Sequence, residues 1–283
     1  MSIFLKFFIV SLLVSSLLEA SSLNVEKIQN DFYDNVIIKP LYSKYRKKSL
    51  VDKALQKRAN KFRIYNSYWK KAKKELWKNH KYLSSSQFLT LIDLSKQVLI
   101  VVLWDNEAKD FYPIGFDFIS SGNINREKEV TNGDDHYFKT PAGFFNIKSG
   151  WRSDGDTYKD NITMPYGEKD SFVFFFGEQK SIRYNTFNEN NTKIKDTKKW
   201  KLITGKLQLA MHAHTSSAPL GTPQSHGCIR MSNDLNLYLD NNLVFFKHLY
   251  DGKKWIHPYK KPPLEPKNYG LAGEFVLILD SVY

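Results

Sequence analysis

The densest collection of reactive side chains is the segment Met211 to Ser232, MHAHTSSAPLGTPQSHGCIRMS, which holds three of the seven histidines and the only cysteine, Cys228. Three kinds of chemistry fit these residue types. The first is nucleophilic catalysis. A thiol attacks a carbonyl as thiolate, so it needs a base to take its proton and donors for the oxyanion that develops. Gly227 lets the backbone turn tightly before the nucleophile, amides around Gly227 and Cys228 can donate, and His212 or His226 can accept the proton. His226 is constrained by lying only two residues from the cysteine, whereas His212, sixteen residues back, can meet the sulfur from a neighbouring strand. The second is metal binding: His212 with His214, and His226 with Cys228, alternate as strand residues do and would offer zinc four N/S ligands. That reading gives no role to the glycine turn or to Arg230. The third is a buried, inert thiol among satisfied histidines, against which stand the Ser, Pro, Gly, Gln and Arg around it.

Elements able to position such a cluster begin at Gln87. Short β-like runs, FLTLIDL, QVLIVVLW, FYPIGFDFI, FFNIKSG and SFVFFF, alternate with turn residues such as Asp105-Asn106 and Asn132-Gly133. The stretch from Gly150 to Lys206 is long and polar and reads as an insertion carrying flexible loops near its middle. Asn233 to Leu243 has helical spacing, with Leu235, Leu239 and Leu243 four apart. HPYKKPPLEP then reads as an extended surface segment, and EFVLILD as a last strand. The expected division is residues 1–20, 21–85 as a basic helical region, 86–249 as the catalytic domain, and 250–283 as a C-terminal extension.

The charge is local. The 283 residues carry a formal +13, yet between Lys39 and Lys81 there are 16 Lys and Arg against only Asp52 and Glu75, so the remaining chain is near neutral. Within that stretch Val51, Leu55, Phe62, Tyr65, Trp69, Ala72 and Leu76 recur at intervals of 3, 4 and 7, the signature of one apolar stripe on a helix, with Ser49 to Asp52 placed to cap its start. Its functional reading is contact with an anionic envelope surface. Its plainer reading is a stripe packed on the main domain or on a second subunit, with the lysines in water. The apolar run Ile3 to Leu18, followed by Glu19-Ala20-Ser21-Ser22, is shorter than the roughly 20 residues of a membrane span and reads as a secretory signal. Leu18 is large for the −3 position of a cut after Ala20, and an uncleaved anchor is the alternative. Either way the chain is expected in the periplasm or cell envelope, which argues against a nucleic-acid partner. A lone thiol makes no intrachain disulfide, so in an oxidising compartment it has to be buried or used.

The string Ser225-His226-Gly227-Cys228-Ile229-Arg230-Met231, with His212 sixteen residues before the cysteine, resembles the active-site signature of the YkuD-like L,D-transpeptidases. LTLIDLSKQVLIVV resembles that family's opening hairpin, and Lys139-Thr140-Pro141-Ala142-Gly143-Phe144-Phe145 its TPxGxF segment, so the similarity runs from about Gln87 to Phe246. The resemblance implies an α+β chain whose β-sandwich-like catalytic domain follows the basic helical segment and acts on peptidoglycan stem peptides without a cofactor or metal. Such enzymes attack the bond between residue three and the terminal D-residue of a tetrapeptide stem, release the D-amino acid and pass the acyl group to an amine. Carried over, Cys228 is the nucleophile, His212 the base, and the carbonyl of Ala213 orients the imidazole. Ser225, His226 and Gly227 shape the pocket and oxyanion site, and Arg230 holds a stem carboxylate. Ala213 and Arg230 stand where the family commonly has Gly and often Asn, and His214 has no role in that pattern. An L,D-carboxypeptidase would use the same thioester with water as acceptor. A non-catalytic wall-binding module working through the basic helix is the alternative from another class.

Overall fold

The computed structural model describes residues 23–126, 136–157, 163–215, 220–256, 261–263 and 265–283, so the segment read as a signal, 1–20, and half of HPYKKPPLEP lie outside the described residues. Two sheets face each other. The first has strand order β3-β2-β1-β11-β4, from β1 (Gln87–Asp93), β2 (Val98–Asp105), β3 (Asp110–Phe118), β4 (Gly143–Asn146) and β11 (Phe275–Leu279). The second runs β5-β6-β7-β8, from β5 (Ser149–Arg152), β6 (Phe172–Asn185), β7 (Lys201–Ala213) and β8 (Ile229–Met231). A small hairpin, β9 (Tyr250–Asp251) with β10 (Lys254–Trp255), follows α5 (Asn233–Asn241).

Strand residues alternate between faces, and this sorts the core. Between the sheets lie Phe88, Ile92, Leu99, Val101 and Leu103 from the first, with Phe172, Phe174, Met211, Ile229 and Met231 from the second, closed by Leu235 and Leu239 of α5. The opposite face of the first sheet is also covered: Leu89, Leu91, Val98, Ile100 and Val102 pack with Tyr68, Ala72 and Leu76 of α4 (Asn66–Trp77). Burial on both faces is why β1 and β2 read as nearly unbroken apolar runs.

Three sequence expectations are corrected here. The single helix expected over the basic stretch is two, α3 (Lys48–Lys61) and α4, separated by extended backbone at Phe62 and Tyr65. Leaving the helix lets the Phe62 ring pack edge-on against Tyr68 at 5.1 Å and Phe116 at 4.9 Å, while Tyr65 is 60% exposed and Tyr68 takes its place in the stripe. Ser49 lies inside the first turn rather than capping it, since the N-cap is Lys47. The 150–206 stretch, expected to be loop-bearing insertion, contains β5, β6 and the start of β7. From Ser181↔Gly205 to Asn185↔Lys201 these form a two-stranded ribbon that extends past the core, so much of its alternation is polar. The last strand expected from EFVLILD forms as β11 and joins the first sheet, pairing parallel with β1 and antiparallel with β4.

The N-terminal region is likewise tied to the body. α1 (Val25–Phe32), capped by Asn24, runs through one π-helical turn into α2 (Lys39–Tyr45) and inserts Phe32 against Tyr238 at 4.9 Å. From α3, Arg58 donates to Asp117 Oδ1 at 2.7 Å, and Asp117 Oδ2 accepts from Ser232 Oγ, the N-cap of α5, at 2.7 Å. Among the described residues no helix is long and apolar enough to cross a membrane.

Candidate active site

β8 runs parallel to β7 with Met211 opposite Ile229, His212 opposite Arg230 and Ala213 opposite Met231. Parallel neighbours need a crossover, and residues 214–228 supply it. Because Met211, Ile229 and Met231 point into the core, His212, Arg230 and, two residues before it, Cys228 share the outer face. The register thus brings together the thiol, the imidazole and the guanidinium singled out in the sequence.

The turn carrying Cys228 is held from several sides. Gly227 has φ +136°, in the region that favours glycine, and a Cβ there would lie 2.7 Å from Leu207 Cδ2. Ser225 Oγ accepts from the Gly227 amide at 3.1 Å and donates to the Cys228 carbonyl. Thr140, fully enclosed, donates from Oγ1 to the Gly227 carbonyl at 2.6 Å and accepts from the Gly122 amide at 2.8 Å. The Phe138 amide donates to the His226 carbonyl at 3.0 Å, and the His226 ring stacks on Tyr137 at 4.0 Å. The TPxGxF segment therefore buttresses the Cys228 turn, a role its sequence pattern did not reveal. One expectation needs correction: the Gly227 amide is committed to Ser225 inside the turn, which leaves the Cys228 amide as the turn's candidate oxyanion donor.

His212 is 5% exposed, and its Nδ1 lies 2.8 Å from the Ala213 carbonyl oxygen, so Nδ1 carries the proton and Nε2 the lone pair. Burial holds its pKa down at about 4, helped by the positive charge of Arg230 and resisted by the Ala213 hydrogen bond. His214, whose Nδ1 meets the Pro165 carbonyl at 3.2 Å, is lowered to about 4 for the same first reason. Burial pushes the Cys228 thiol up, against the Ala210 backbone hydrogen bond and the Arg230 charge, and the thiol donates to the Gln208 carbonyl at 3.5 Å. At neutral pH the resting pair is a neutral thiol and a neutral imidazole. Arg230 donates to the Gln224 carbonyl at 3.4 Å. Among the described residues no three His, Cys, Asp or Glu side chains converge as a metal site, and the His226 ring that zinc would need is stacked on Tyr137.

Two aromatic residues that the sequence did not single out lie beside this centre. Tyr166 sets its ring edge-on to His212 at 5.2 Å, and Trp151 of β5 meets Tyr166 at 6.0 Å. No local pattern marks either one, because Trp151 is placed by its pairing with β6 and Tyr166 by a loop whose Met164 is tied to Thr215.

The model of the YkuD L,D-transpeptidase catalytic domain matches residues 87–256. The chain belongs to this family. Among solved structures, Bd1075 of Bdellovibrio bacteriovorus is 21% identical over 70% of this chain and 49% of its own, with a TM-score of 0.36. The L,D-transpeptidase of Xylanimonas cellulosilytica is 19% identical over 70% and 62%, with a TM-score of 0.31. The helical cell shape determining protein Pgp2 of Campylobacter jejuni is 14% identical over 70% and 49%, with a TM-score of 0.32. This chain thus spans about half to three-fifths of those structures. No curated protein matches it. The family match stops at Trp255-Ile256, short of β11, although β11 lies within the sheet that the matched strands build.

Proposed function

We propose that this YkuD-family chain is an exported L,D-transpeptidase of the bacterial cell envelope that works through a Cys228 thioester. The observation that carries the reading is the β7–β8 register, which sets Cys228 and His212 on one face with the imidazole's proton held at Nδ1 and its lone pair at Nε2. The thiol turns from Gln208 towards His212 as the stem's third-residue carbonyl arrives. Sγ bonds to the carbonyl carbon while its proton passes to His212 Nε2, and the oxyanion is met by the Cys228 amide. Collapse breaks the C–N bond, and His212 returns the proton to the leaving D-amino acid. An acceptor amine then attacks the thioester, giving its proton to His212 and restoring the thiol. Arg230, two residues on along the same face, is suited to the stem's terminal carboxylate.

The test is incubation with purified tetrapeptide muropeptides. Cross-linked 3→3 dimers with released D-amino acid support the reading, tripeptide alone makes the protein a carboxypeptidase, and full release by Cys228→Ala removes the mechanism.

A further inference from the structure

We infer that Trp151 is a stacking platform for the glycan end of the donor, so that the enzyme reads a sugar ring together with the stem; this rests on the stem-peptide reading above. The sheet supplies the geometry. Trp151 pairs with Val173, and Phe174 pairs with Met211, so the next step of that ladder aligns Val173 with His212, which itself pairs with Arg230. Trp151, Val173, His212 and Arg230 therefore form one rung across the four strands, on the face that carries the thiol.

At a strand spacing of about 4.8 Å, Trp151 lies about 10 Å from His212 along this rung and Arg230 about 5 Å on the other side. A donor whose scissile carbonyl sits over the thiol and imidazole, with its terminal carboxylate at Arg230, must send residues three to one towards Trp151. Three extended residues span about 10 Å, which brings the sugar attached to residue one over the Trp151 ring.

That ring is available. Trp151 is 41% exposed and Tyr166 43%, whereas the other described tryptophans are buried or half-buried. Both aromatics are also held in place: Trp151 by the edge strand and by Phe175 at 5.9 Å, and the Tyr166 segment by Met164, whose amide donates to Thr215 Oγ1 at 2.7 Å. An exposed, pre-positioned indole is suited to the apolar face of a pyranose at little ordering cost.

The test compares kcat/KM for a disaccharide-tetrapeptide with that for the same tetrapeptide lacking sugar, in the full chain and in its Trp151→Ala and Trp151→Phe variants, each first shown by thermal melting to be folded. The wild type is expected to prefer the disaccharide form by about tenfold, a preference that falls towards one in Trp151→Ala and is largely kept in Trp151→Phe. An unchanged ratio in Trp151→Ala, or no preference in the wild type, overturns the inference. A binding arm uses Cys228→Ala protein titrated with an N-acetylglucosamine disaccharide and read by tryptophan fluorescence, with and without Trp151→Ala. If neither donor is turned over, the catalytic reading fails, and this arm still decides whether the platform exists: a signal lost with Trp151 supports it, and none refutes it.

Discussion

Replacing Thr140 by Val tests whether the Cys228 turn is held from behind. The two side chains have nearly the same shape, so the change removes the hydroxyl and little else. In the wild type that hydroxyl donates to the Gly227 carbonyl at 2.6 Å and accepts from the Gly122 amide at 2.8 Å. Gly122 cannot retreat into an easier position, because it is packed so closely that a Cβ on it would lie 2.1 Å from the Phe138 carbonyl oxygen. Each buried group left without a partner costs about 1–3 kcal/mol, so Thr140→Val, which orphans two, is expected to lose about 2–6 kcal/mol in equilibrium urea unfolding. Thr140→Ser keeps both bonds and should stay within about 1 kcal/mol of wild type. The same loss loosens the Gly227–Cys228 turn, so covalent labelling of Cys228 by a carbapenem, read by intact mass, should slow in Val and not in Ser. A Thr140→Val protein as stable as wild type and labelled at the same rate would refute the buttress.

Three further outcomes follow from the same contacts. His212 titrates at about 4 in the folded chain against about 6.5 when unfolded, so the unfolded state binds the extra proton first. Stability is then full above about pH 6.5 and falls by up to roughly 3 kcal/mol between there and about pH 4, with the acid limb of kcat/KM near the lower value; His212→Gln should flatten part of the stability slope. Breaking the half-buried Arg58–Asp117 pair by Arg58→Met should cost about 2 kcal/mol, and a double-mutant cycle with Asp117→Asn should show coupling of about 1 kcal/mol or more. Removing residues 274–283 should prevent cooperative unfolding altogether, since it leaves β1 and β4 without the strand between them; calorimetry would show no transition.

Much of the site was legible because the reactive types sit close together in sequence, and the strand alternation of MHA and IRM already implied which side chains share a face. The apolar runs of β1, β2, β6 and β11 announced themselves for a similar reason: burial on one or both faces leaves a local record. Support from a distance leaves none. Thr140 reaches Gly227 across 87 positions, and nothing near either residue encodes the meeting. The break between α3 and α4 was hidden because Tyr65 and Tyr68 are both aromatic, so the periodicity survived on paper while the backbone opened to seat Phe62. The polar ribbon of β6 and β7 misled for the opposite reason: strands exposed to water lose the apolar alternation that marks them.

The middle position of β11 also sets an order of events. Leu89 pairs with Phe275 roughly 190 positions later, a contact between remote parts of the chain that slows folding. A chain emerging from its N-terminus carries Cys228 and His212 well before the strand that closes the sheet beneath them. Synthesis interrupted before residues 275–279 arrive therefore leaves β1 and β4 without the strand between them, an open sheet across the core from the face that carries Cys228 and His212.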